Sequence, residues 1–266
     1  MAAIPSNRYT MKMKRRFCIT LAVTVAIIAI IAGVFVFRPH PPSYQNRSLQ
    51  SWLADVDYGQ PPAKREAAQY ALRQMGTNVI PFLLSDFRKH DSRLTWNLKR
   101  LLKKQSLVHL DFRTPDERIR QATWAFDALG PLGTPAIPDL VALQEQAPGY
   151  IPSALAGIGP TALPALFSEL TNHVVWVRDN AATAIANAVY SGKITSAQVK
   201  AAIPSLLANL KDPDANAVCH AIEGLGAINE EPELCVPALN ECLNSTNSSV
   251  VSFSRRALNQ FATKTK

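Results

Sequence analysis

Apolar residues return every three or four positions through most of the chain, and the stretch from Arg118 to Leu143, RIRQATWAFDALGPLGTPAIPDLVAL, carries the pattern most clearly. Ala122, Ala125, Phe126 and Leu129 share one helical face, Gly-Pro-Leu-Gly breaks the period, and a second helix starting near a proline buries Ile137, Leu140 and Leu143. The second half of this phrase recurs as VIPFLLSDF, AIPDLVAL, ALPALFSEL, AIPSLLANL and CVPALNECL. Its prolines, Pro81, Pro138, Pro164, Pro204 and Pro237, are spaced by 57, 26, 40 and 33 residues. Each is predicted to lie near the start of a helix, where its missing N–H would have had no partner anyway. Upstream of each proline lies a small-residue helix: Ala68 to Gly76, Ala122 to Gly130, Ser153 to Gly159, Ala181 to Tyr190 and Val218 to Gly226. Alanine at the packing positions lets two helices approach closely, and a terminal glycine allows the left-handed turn that closes a helix.

Tandem two-helix units of this length cannot bury their apolar faces alone, so they predict an all-α fold, an α-solenoid of about five helix pairs over residues 48–266. The uneven spacing predicts two departures. The 57-residue gap holds an extra helix, Asp91 to Val108, with Leu94, Leu98, Leu101 and Leu102 inward; the 26-residue gap leaves little room for a long helix. Ser48 to Val56 reads as a short capping helix with Ser48 as N-cap, and Val250 to Phe261 as the last helix. No linker is long enough to separate a second domain.

The net charge of +8 suggests nucleic acid until its distribution is read. Arg8, Lys12, Lys14, Arg15, Arg16 and Arg38 carry six of the 28 basic charges and no acid precedes Asp55, so the rest of the chain is nearly balanced. Phe17 to Phe37 is an uncharged run of 21 residues, which as a helix would span roughly 30 Å, the thickness of a bilayer core. It ends in bulky Val34, Phe35, Val36 and Phe37 rather than in a small-x-small cleavage site, so an uncleaved transmembrane helix is expected, with a secreted soluble repeat protein after signal cleavage as the alternative. The basic residues 1–16 then lie in the cytoplasm, residues 38–47 form a proline-rich spacer, and the repeat body lies outside the cytoplasm, in the periplasm if the host is bacterial. That placement disfavours nucleic acid as a partner. Cys219, Cys235 and Cys242 are an odd number in the body and read as small buried residues rather than a disulfide framework.

The segments VRDNAATAIANA (Val177 to Ala188), KREAAQYALRQMG (Lys64 to Gly76) and KDPDANAVCHAIEGLG (Lys211 to Gly226) resemble the HEAT-repeat family, particularly the short bacterial HEAT-like repeats also found in bilin lyases. The resemblance covers roughly Leu49 to Phe261. It implies a scaffold whose small-residue helices line a concave groove, or a bilin- or metal-handling enzyme or chaperone on the same fold. HEAT-like metalloenzymes use several His-Glu dipeptides, and this chain has none.

Candidate site residues follow from aligning Leu72, Phe126, Leu155, Ile185 and Ile222 as equivalent core positions. The residues two before and one or two after these lie away from the core on a helix. On the groove face that the resemblance implies, they are Tyr70, Arg73, Gln74, Trp124, Asp127, Thr183, Asn187, His220 and Glu223. Aromatic side chains beside fixed charges suit a protein or peptide partner. His220 and Glu223, three apart, share a helix face, but no other histidine stands at ligand spacing to them. No phosphate loop, nucleophile elbow or Cys-x-x-Cys motif occurs, so neither a catalytic residue, a cofactor nor a small-molecule substrate is expected. Arg93, Lys99, Arg100, Lys103 and Lys104 form a basic patch around the inserted helix, interspersed with acids in the surrounding sequence. The expected function is therefore that of a non-enzymatic, membrane-anchored scaffold or adaptor.

Overall fold

Proline placement sets where the second helix of each repeat begins. In the computed structural model, which describes residues 40–88 and 113–264, Pro81, Pro138, Pro164 and Pro204 each occupy the first turn of a helix: α3 (Ile80–Arg88), α5 (Ile137–Ala142), α7 (Leu163–Glu169) and α10 (Ile203–Asn209). The first helices are α2 (Pro62–Met75), α4 (Pro115–Leu129), α6 (Ile151–Ile158), α8 (Val175–Tyr190) and α11 (Ala215–Ile228). A one-turn helix, α9 (Ser196–Val199), follows α8, and α12 (Pro232–Cys242) and α13 (Ser248–Lys264) close the chain. Pro237 departs from the expected register: helix α12 starts earlier, at Pro232, and Pro237 sits inside it. Pro232 takes the first-turn position, preceded by Glu231 at a left-handed φ of 51°.

The first helices stack in order, α2 on α4, α4 on α6, α6 on α8, α8 on α11 and α11 on α13, while each second helix packs against the first helix of the next repeat. The described residues thus form a helical repeat solenoid of five pairs. Leu72, Phe126, Leu155, Ile185 and Ile222, the aligned core positions, are all fully buried. In the first three pairs the turn between the helices is a short 3-10 segment, opened by glycine in the first two: Gly76 and Gly130 have φ of 60° and 55° with ψ of −145° and −132°, a conformation that a Cβ would strain. Local caps fix the entries. Thr114 and Glu117 form a reciprocal capping box at α4, with bonds of 3.2 and 2.7 Å, and Asp214 accepts from two backbone N–H groups of α11.

The body is not purely helical. Ser43–Tyr44 (β1) and Arg47–Ser48 (β2) pair as an antiparallel hairpin whose turn residues, Gln45 and Asn46, both have positive φ, as a type I′ turn requires. The hairpin leads into α1 (Leu49–Asp55), capped by Ser48. Trp52 Nε1 donates to the Tyr44 carbonyl at 3.2 Å, and Arg47 lies over the Trp52 ring and pairs with Asp55 at 2.6 Å. The folded unit accordingly begins at Pro42, and the segment expected to be a spacer contributes its second half to the body. Among the described residues no helix is long and apolar enough to cross a membrane. Phe17–Phe37, the Asp91–Val108 helix and the basic patch Arg93, Lys99, Arg100, Lys103 and Lys104 lie outside those residues.

Polar side chains tie neighbouring repeats where loops meet. Arg73 Nε donates to the Ala128 carbonyl at 2.8 Å and Asn209 Nδ2 to the Leu170 carbonyl at 3.0 Å; Arg178 reaches both the Asn172 carbonyl and Asp212. Glu169 is buried in α7. With its amide nitrogen turned toward that carboxyl, Gln144 donates to Glu169 Oε2 at 2.7 Å and accepts from Asn172 at 3.0 Å. Burial pushes the Glu169 carboxyl up to about 7.

Candidate functional site

The shortened third repeat shapes the surface of the first helices. Helix α6 has 8 residues against 15 in α4 and 16 in α8, and its outer face carries Ser153, Ala156 and Gly157. A short helix of small side chains between two long ones leaves a depression of about 470 Å³, within the size range of a ligand pocket. Thr123, Trp124 and Asp127 of α4 form one wall, and Ala184, Asn187, Ala188 and Ser191 the other. The loops at Tyr58, at Gly149–Tyr150 and at Lys193 complete the rim. Close approach of α4 and α6 depends on Gly157, because a Cβ there would lie 2.8 Å from the Asp127 Cα.

Every charge at this depression has an internal partner. Lys193, beyond α8, crosses the short repeat to pair with Asp127 on α4. Burial lowers the Lys193 pKa from its ordinary value. Arg120 bonds Asp116 at 3.0 Å, lies 3.7 Å from Asp57 and stacks its guanidinium 5.3 Å from the centre of the Trp124 ring. The Tyr150 hydroxyl donates to Asp116, and burial, reinforced by that bond, pushes its pKa up to about 12. The Trp124 ring is half-buried, meeting Tyr58 edge-on with centroids 5.3 Å apart. By contrast, the exposed side chains of Asn187 and Ser153 make no hydrogen bond among the described residues.

Of the residues singled out in the sequence, Trp124, Asp127 and Asn187 line this one depression. The others are spread along the same stack. Tyr70 is exposed and meets Tyr44 edge-on; Arg73 reaches toward α4 with Gln74 exposed beside it; Thr183 donates to the Asp179 carbonyl of its own helix. His220 and Glu223 do not act as a pair. His220 Nδ1 bonds the nearly buried Asp179 carboxylate across the α8–α11 interface, while Glu223 pairs with Arg256 of α13 at 3.3 Å. The Asp179 bond raises the His220 pKa, against the opposing effect of burial. Among the described residues, no three His, Cys, Asp or Glu side chains are grouped to hold a metal ion, and Cys219, Cys235 and Cys242 are free thiols. Burial raises all three, Cys235 to about 11.

Sequence reasoning passed over Tyr58, Arg120, Tyr150, Lys193 and the most exposed aromatic, Trp176 at 62%. Two of these had a signal. Arg120 stands four residues before Trp124, and Trp176, Asn180, Thr183, Asn187 and Tyr190 follow helical spacing down the outer face of α8. Tyr58, Tyr150 and Lys193 lie in irregular segments without periodicity.

No protein-family model matches the chain, and no curated relative matches it. Solved structures similar to it include a designed armadillo repeat protein in complex with the peptide (KR)4, at 19% identity and TM-score 0.43, covering 80% of this chain and 99% of that one. A computationally designed armadillo repeat protein for modular peptide recognition is similar at 19% identity and TM-score 0.41, covering 80% and 100%. The MAST/Orbit N-terminal domain is similar at 17% identity and TM-score 0.35, covering 69% and 96%.

Proposed function

We propose that this chain is a non-enzymatic scaffold that captures a protein or peptide partner on the outer face of its stacked first helices, held at a membrane by Phe17–Phe37 with the repeat body outside the cytoplasm. The observation that carries the reading is the row of side chains on that face. Exposed Trp176 and Tyr190 bracket Asn180, Thr183 and Asn187 on α8, and the depression beside them presents Trp124 and Tyr58. Aromatic anchors interspersed with amides suit partner binding, and a preformed surface on rigid helices limits the ordering cost of association. The anchor follows from the length of the apolar run and the basic residues before it.

Affinity capture from solubilised membranes, using the full chain and a Trp176→Ala, Tyr190→Ala double variant, tests the binding reading. A partner retained by the wild type and lost by the variant is the expected result, and equal recovery by both rejects it. A reporter fused after Lys266 tests the topology; activity in the cytoplasm overturns it.

A further inference from the structure

Resting on that reading, we infer that the depression over α6 admits an uncharged, ring-bearing side chain of the partner peptide, with Asn187 pairing its backbone, and rejects charged ones. Three observations lead there.

Asp127 and Lys193 neutralise one another across the depression, and Arg120 is held by Asp116 with Asp57 close by. A lysine or arginine entering the site would compete with Lys193, whose side chain is 39% exposed, for the more enclosed Asp127 carboxylate. An entering carboxylate would compete with Asp127 for Lys193. A pair already neutralised offers an entering charge little net attraction to offset the water it gives up, so the internal pair acts against charged occupants.

Among the described residues the uncommitted polar side chains of the lining are neutral: the Asn187 amide and the hydroxyls of Ser153 and Tyr58. An amide offers one acceptor and two donors, the complement of a peptide group. Finally, the walls near those groups are the Trp124 ring, with Tyr58 against its edge, and the small side chains of Ala156, Ala184 and Ala188. A flat ring fits between an aromatic wall and a floor of methyl groups, and ring pairs favour offset or edge contacts of the kind Trp124 and Tyr58 already make.

Selection of a random-peptide phage library against the detergent-solubilised full chain tests the inference. Enriched peptides should share a Tyr, Trp, Phe or Pro at one position, and Asn187→Ala should weaken their binding by about tenfold, the scale of one or two hydrogen bonds. Selection against Lys193→Met should instead enrich Lys or Arg at that position, because Asp127 is then left open. Enrichment of charged residues with the wild type overturns the inference but leaves peptide binding standing, as does ring enrichment that ignores Asn187→Ala. Failure to enrich any sequence overturns both.

Discussion

Replacing Gly157 by alanine probes whether the depression is built by helix approach. The added Cβ would lie 2.8 Å from Asp127 Cα and 3.0 Å from Asp127 N, both backbone atoms that can move only with α4. Overpacking of this kind costs about 1–3 kcal/mol. Against it stands the gain from replacing glycine inside a helix, roughly 1 kcal/mol. The net expectation is a destabilisation of up to about 2 kcal/mol, or a fall in melting temperature of up to some 8 °C for a domain of this size. Gly224 supplies the control within the same fold. A Cβ there would meet the Leu206 methyl carbons at 3.2 Å and its nearest backbone atom, the Ala182 carbonyl oxygen, only at 3.7 Å. A side-chain tip can give where a backbone cannot, so Gly224→Ala should stay within about 0.5 kcal/mol of the wild type. Urea unfolding followed by far-ultraviolet circular dichroism, on the full chain in detergent, measures both. Equal stability of the two variants, or a more stable Gly157→Ala, would refute the argument that close contact of α4 and α6 requires a glycine.

Two further predictions concern pH. Because burial holds Glu169 protonated up to about 7, the folded state binds more protons than the unfolded chain between the unfolded carboxyl pKa and 7, and stability should fall as pH rises through that window. Glu169→Gln should remove the fall and stabilise the protein at pH 8 by up to about 3 kcal/mol, with the Gln144 amide donors reducing the gain; an unchanged pH profile counts against a protonated Glu169. His220 has a dependence of the same sign, with a different origin. Its raised pKa means that the Asp179 bond contributes fully below the unfolded histidine value and is lost as pH rises through the folded one. His220→Ala should therefore destabilise more at pH 5.5 than at pH 8.5, and a loss independent of pH would assign His220 to packing alone. Thr114→Ala removes one half of the capping box of α4 and should cost about 1 kcal/mol by chemical denaturation, whereas no measurable loss would mean the helix entry is fixed elsewhere.

The repeats were legible because their chemistry is local. Apolar spacing put Leu72, Phe126, Leu155, Ile185 and Ile222 in the core, and the 26-residue spacing announced the short helix on which the depression depends. What escaped was decided by contacts distant in sequence or by unusual turns. The hairpin at Ser43–Ser48 turns on Gln45 and Asn46 rather than on glycine, so the usual two-residue turn signal was absent. Pro237 sits inside a helix because a second proline five residues earlier provides the start. For Trp124, helical register indicates a side away from the core, yet the ring is half-buried, because Tyr58 lies against its edge from a loop more than sixty positions upstream. Lys193 and Tyr150 reach the site from segments with no period to read. His220 and Glu223 share a face as their spacing implies, but each is taken by a different neighbouring helix.

The bond between Lys193 and Asp127 also bears on mechanics. In an ordinary stack of repeats the junctions lie in series, so a pull on the two ends is felt in full at each one and the weakest yields first. A tie from the loop after the first helix of the fourth repeat to the second repeat runs in parallel with the two junctions on either side of α6 and takes part of their load. The shortest repeat is thereby braced by its neighbours. A stack pulled at its two ends would thus feel less of the load at the depression than at junctions without such a tie.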